Sequence, residues 1–138
     1  NIITKAIQLY PNDEALYINL GKVYEINKDW HQAFESYKKS SEVNPNYTEA
    51  YSNQSAMLCE LGRFEEALVS CNKAILLNKK FTEAYYNRGV ILKMLGRLEE
   101  SLASFDEAIK INDKYNMQND IEIMNHLILY YHFEKHQI

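Results

Sequence analysis

The sequence predicts an all-α solenoid of antiparallel helix pairs, and three observations carry that prediction. The pattern Tyr-x-Asn-x-Gly/Ser occurs at residues 17–21, 51–55 and 85–89, each copy 34 residues after the last. A fixed period of this size means stacked copies of one supersecondary unit. Within each unit the apolar residues recur at helical spacing, which selects helix over strand. Turn signals fall midway through each unit and again at its end, so every unit holds two helices.

Residues 1–12 open the chain as the second helix of a truncated unit, because Ala6 and Pro11 stand one period before Ser40 and Pro45. With no initiating Met, the chain reads as a fragment of a longer protein. The first full unit, 14–47, has Asp13 available as an N-cap. Its helices are divided at Lys28-Asp29, and its second helix carries Trp30, Ala33, Tyr37 and Ser40 before closing at Asn44-Pro45. In the second unit, 48–81, Thr48 stands where an N-cap is wanted. Tyr51, Ser55, Leu58 and Leu61 form one stripe, and Phe64, Ala67, Cys71 and Ala74 follow the Gly62-Arg63 turn. The third unit, 82–115, repeats the plan from Thr82 through Gly96-Arg97 to Leu98, Ser101, Phe105 and Ala108. Glycine suits the turns because it accepts the left-handed conformation that ends a helix. Residues 116–138 break the period, with Ile123 where a small residue is due. There Asp120 precedes a single stripe of Ile121, Met124, Leu127, Ile128 and Tyr131, which reads as a C-terminal capping helix. Ile123, Leu129, Tyr130 and Phe133 lie off that stripe. They are expected to pack on the last unit or on chain missing from this fragment, or else to form a homo-oligomer or partner contact through residues 120–138.

The period, together with this order of large and small residues, resembles the tetratricopeptide repeat (TPR) over residues 14–115. Departures are mild: Ser55 replaces the usual smaller residue, and the closing Pro survives only at Pro11 and Pro45. The resemblance implies a right-handed superhelix whose first helices line a concave groove that binds a protein or peptide. The groove residues it implies are Ile18, Asn19, Lys22, Asn53, Tyr86, Asn87, Val90 and Met94. Asn19, Asn53 and Asn87 would form a ladder along that groove. A carboxamide offers a donor and an acceptor together, which matches a peptide unit. Units are separated by ~10 Å and an extended peptide advances ~3.3 Å per residue, so each Asn would meet the backbone about every third residue. TPR co-chaperones hold a partner's terminal carboxylate with Lys, Asn, Asn, Lys and Arg. The matching positions here are Ile18, Lys22, Asn53, Glu83 and Asn87, and only Asn53 agrees, so no such clamp is expected.

Composition narrows the classes of function. A net charge of −4 with no basic cluster disfavours nucleic acid. No apolar run is long enough to span a membrane. Cys59 and Cys71 are expected to stay reduced, which suits a cytoplasmic protein. No phosphate loop, zinc motif or nucleophile arrangement stands out, so no catalytic residue, metal or cofactor is expected. His126, His132 and His136 lack a further ligand and read as surface histidines. Glu65-Glu66 and Glu99-Glu100 sit at helix starts, where carboxylates complement the helix dipole. The leading expectation is a non-catalytic interaction module. The alternatives are the substrate-selecting arm of a larger enzyme such as a glycosyltransferase, and a homo-oligomeric assembly scaffold.

Overall fold

Seven helices follow one another through the described residues: α1 (Ile2–Leu9), α2 (Glu14–Ile26), α3 (Trp30–Val43), α4 (Thr48–Glu60), α5 (Phe64–Leu77), α6 (Thr82–Met94) and α7 (Leu98–Ile111). The structure, a computed structural model, describes residues 2–111, 121–122, 125–129 and 132, and no strand occurs among them. Of the expected capping helix, residues 121–122, 125–129 and 132 are helical. Met124, Tyr131 and the rest of 112–138 lie outside the described residues, as does most of the oligomer contact expected over 120–138.

Every helix packs on its neighbours in sequence, and α4 also touches α6 directly. One layer therefore holds α2, α4 and α6, and α3, α5 and α7 lie behind it. The second-helix positions that recur in the sequence fill the space between the layers. Ala33, Ala67 and Ser101, then Tyr37, Cys71 and Phe105, then Ser40, Ala74 and Ala108, are all fully buried. Small side chains at two of these three positions let the helix axes approach within ~8–10 Å. The third position fills the groove that results. Where it is aromatic, the facing first-helix residue is glycine: Gly21 against the Tyr37 ring and Gly89 against the Phe105 ring. The middle unit carries Ser55 and the smaller Cys71 at the same positions.

The repeated Tyr has a role that its spacing did not reveal. Tyr17, Tyr51 and Tyr85 each donate a hydroxyl hydrogen bond to a carbonyl six residues back: Pro11 at 2.9 Å, Pro45 at 2.9 Å and Lys79 at 3.0 Å. Each unit's first helix is thereby tied to the loop that enters it. The Asn that closes a unit shapes the same loop, since Asn44 and Asn78 accept from the amides of Asn46 and Lys80. This is the Asx-turn that makes Asn a turn residue.

Helix ends follow the expected chemistry in part. Asp13 caps α2, its carboxylate accepting from the Ala15 amide at 3.1 Å. Thr48 and Thr82 do not cap: the cap positions are Tyr47 and Phe81, and neither makes a side-chain cap bond. Each Thr sits one residue too late, as the first helical residue. At the C-termini, Lys28, Gly62 and Gly96 adopt φ of 59°, 75° and 76°. The following amides close each helix: Asp29 to Tyr24 O, Arg63 to Leu58 O and Arg97 to Leu92 O. Lysine pays for this left-handed conformation where glycine does not. Lys28→Gly is therefore expected to raise the unfolding free energy by roughly 0.5 kcal/mol, after the entropy that glycine adds to the unfolded chain. Urea titration would read this as a higher midpoint at constant slope, and a lower midpoint would refute it.

Candidate binding surface

The α2/α4/α6 layer is stitched by polar contacts between successive units. Lys22 Nζ lies 3.3 Å from Glu49 Oε1, joining α2 to α4. Asn87 Nδ2 donates to the Ser52 carbonyl and to Ser52 Oγ, both at 3.1 Å, joining α6 to α4. Ser55 Oγ lies 3.4 Å from the same amide nitrogen.

The three ladder asparagines are consequently not equivalent. Asn19 is exposed on α2. Asn87 is half-buried and engaged in packing against the preceding unit. Asn53 is only 9% exposed, yet its Nδ2 has no hydrogen-bond partner. Register explains the difference. Asn87 finds hydroxyls at Ser52 and Ser55, whereas one period earlier the same positions hold Ile18 and Gly21, which have none.

Ile18, expected on the groove, belongs to the core instead. It is 3% exposed and lies in the cluster with Ala33, Phe34 and Tyr37. A helical side chain leans toward its own N-terminus and onto the packed face, which favours burial of an aliphatic residue there. Tyr86, at the same position of the third unit, stays half-buried, its ring centroid 5.7 Å from that of Phe105. Lys22 is exposed and Val90 is half-buried. Met94 is 55% exposed, and Ile26, one unit-pair earlier at the same helix end, is 80% exposed.

Carboxylates and lysines meet on this layer. Desolvation pushes the Glu25 carboxyl above its ordinary range; Lys22 opposes the shift and Glu60 adds to it. The buried Tyr37 hydroxyl, which has no hydrogen-bond partner, is also held up, first by desolvation and then by Glu25, Glu49 and Glu83. Cys59 is half-buried, with its thiol raised by burial and by Glu60. Cys71 is a core residue whose thiol burial pushes up to about 12, which leaves it unreactive.

Elsewhere, Gly96, Arg97, Leu98 and Glu99 form a crevice with Ile128 and His132. His132 Nε2 is 3.3 Å from Glu99 Oε1. Ile121 packs against the cluster of Tyr85, Phe105 and Ala108. Among the described residues there is no group of three or more His, Cys, Asp or Glu able to hold a metal. No helix among them is long and apolar enough to cross a membrane.

Paired helices in two layers, tied unit to unit, define a helical-repeat module. Comparison with known proteins gives the family. Tetratricopeptide repeat models match residues 15–47 and 82–115, and a TPR repeat model matches 56–96. Together these take in well over half of the chain, which belongs to the tetratricopeptide repeat family. Mouse DnaJ homolog subfamily C member 7 is 42% identical over 48 residues, 35% of this chain and 10% of that protein. The chain thus spans about a tenth of the length of that curated relative. Among solved structures, the first TPR of Spaghetti (RPAP3) bound to the HSP90 peptide SRMEEVD superposes with a TM-score of 0.81. Identity there is 21%, covering 84% of this chain and 93% of that one. The TPR2B-domain:pHsp70-complex of yeast Sti1 gives 0.72 at 27% identity, covering 80% and 92%. These likenesses agree with the all-α solenoid of antiparallel helix pairs expected from the period.

Proposed function

We propose that this chain is a non-catalytic module that binds an extended segment of a protein partner along the concave face of the α2/α4/α6 layer. Asn19, Lys22, Asn53, Tyr86, Val90 and Met94 make the contacts. Asn87 contributes indirectly, by fixing α6 against α4, and Ile18 supports the face from beneath. The observation that carries this reading is the Asn53 amide, a donor left unpartnered on a nearly buried side chain. Such a group costs about 1–3 kcal/mol of desolvation; its nitrogen is covered, so a rotation of the carboxamide toward the face accompanies the bond to a peptide carbonyl that would offset that cost. The yeast Sti1 neighbour, seen in complex with pHsp70, supports a peptide-binding role for the same fold.

Asn53 and Asn87 give the test its contrast. Peptides selected on the wild-type protein from a displayed library are expected to bind N19A/N53A about tenfold more weakly, the size of one or two lost hydrogen bonds. Its circular dichroism melt should not fall, because Asn53→Ala removes a buried donor that has no partner. Asn87→Ala is expected to act on stability instead, losing about 1–2 kcal/mol by urea unfolding. Undiminished binding to N19A/N53A would reject the asparagines as a gripping device.

A further inference from the structure

We propose that the open face of α1 is the seat of one further helix, of the kind that opens each unit, supplied by the chain that precedes Asn1. This face is separate from the surface proposed above to bind a partner, and its occupant is argued from the repeat alone.

Register shows that the face is incomplete. α1 holds the second-helix place of its unit, with Ile3 one period before Tyr37 and Ala6 one period before Ser40. At the first of these positions Tyr37, Cys71 and Phe105 are all fully buried, and at the second so are Ser40, Ala74 and Ala108. Ile3 and Ala6 are only half-buried, and α1 has no buried residue at all. The contrast is widest at Ile2, which is 86% exposed. Its counterparts Ser36 and Ser104 are 6% and 2% exposed, and Ser70 is half-buried. Leu9, toward the other end of α1, is 74% exposed.

The other units show what covers these positions. α3, α5 and α7 each pack against the first helix of their own unit, which is α2, α4 and α6 respectively. α1 packs on α2, the helix of the following unit, and has no first helix of its own among the described residues. Within each full unit the second helix meets a small residue sixteen positions upstream: Gly21 for Tyr37, Ser55 for Cys71 and Gly89 for Phe105. A Cβ at Gly21 or Gly89 would run into the facing ring. The helix seated on α1 is therefore antiparallel to it, with Gly, Ala or Ser set against Ile3 and a large apolar or aromatic residue four positions earlier, where the full units have Tyr.

Physical chemistry requires such a cover. A helix of eight residues does not hold itself in water, and its stability comes from packing its apolar face. A repeat helix covers that face only against its neighbours. The seated helix would stand beside α2 in the first-helix layer and lengthen that layer by ~10 Å, the span of about three residues of extended chain.

The test lengthens the chain upstream by the 21 residues that precede Asn1 in its own gene and follows amide hydrogen exchange. Those residues are expected to include the small residue sixteen positions before Ile3. They should slow exchange in α1 by about tenfold to a hundredfold, toward the rates of α3. A second extension, a copy of residues 82–102, continues the 34-residue register into Asn1 and checks that the face accepts a first helix. Ile3→Asp in either extended chain should return α1 to fast exchange. Exchange in α1 that neither extension slows would overturn the proposal, as would slowing by the copy of 82–102 but not by the natural segment. Slow exchange that survives Ile3→Asp would place the added helix elsewhere and overturn it too. Sedimentation of the unextended chain should give a monomer. A dimer whose formation itself slows exchange in α1 would put a second copy on this face, and the proposal would fall.

Discussion

Replacing Phe105 by Ala is expected to cost about 4 kcal/mol of unfolding free energy, the middle of the range for a buried aromatic truncated to a methyl group. Phe105 is fully buried, lies against Gly89, meets the Tyr86 ring, and anchors the cluster on which Ile121 packs. Removing it opens a cavity that rigid neighbouring helices cannot close, so the cavity adds to the lost transfer energy. In a repeat array, each unit contacts only its neighbours. The loss should therefore appear first as local opening of α6 and α7, with hydrogen exchange there accelerated while α2 and α3 stay protected. Urea unfolding together with amide exchange measures both effects. A loss below about 1 kcal/mol would mean that the third unit is far more loosely packed than this core implies.

The converse change, Gly89→Ala, should also be costly, by about 2–3 kcal/mol. A methyl group there would stand 2.5 Å from Cε1 of Phe105. That is less than any real Cβ contact, and the buried ring has nowhere to retreat. The better helix propensity of alanine, worth about 1 kcal/mol, offsets only part of the clash. Because the cost arises from one pair, shortening the partner should recover it. The double variant G89A/F105L is expected to be more stable than the sum of its single changes by about 1 kcal/mol or more. Strict additivity in that cycle, read from urea midpoints, would show that the destabilisation has another source. The middle unit already illustrates the compensation, with the bulkier Ser55 matched by the smaller Cys71.

Architecture was legible in the sequence because it depends on periodic, local information. A recurring 34-residue order of large and small residues specifies which helix faces must be covered and by what. Of the twelve second-helix positions it singled out, nine are fully buried, and Trp30, Phe64 and Leu98 at the helix starts are half-buried. The turns at Lys28, Gly62 and Gly96 were legible for the same reason, since backbone conformation there depends on one residue. The caps were less so: Thr48 and Thr82 have the right chemistry, one position away from the right backbone geometry.

The sequence by itself determined the fold family, the pairing of helices and the residues that fill the space between them. Tertiary structure alone decided what the conserved-looking positions of the repeat do. Asn19, Asn53 and Asn87 share one place in the pattern but differ in exposure and bonding, because a side chain's partners come from the unit before it. That unit offers Ser52 and Ser55 in one case, and Ile18 and Gly21 in the other. The hydroxyl bonds of Tyr17, Tyr51 and Tyr85 and the withdrawal of Ile18 into the core were hidden for the same reason. Periodicity fixes which face of a helix a residue occupies. Hydrogen bonding and burial depend on what the neighbouring unit sets against that face.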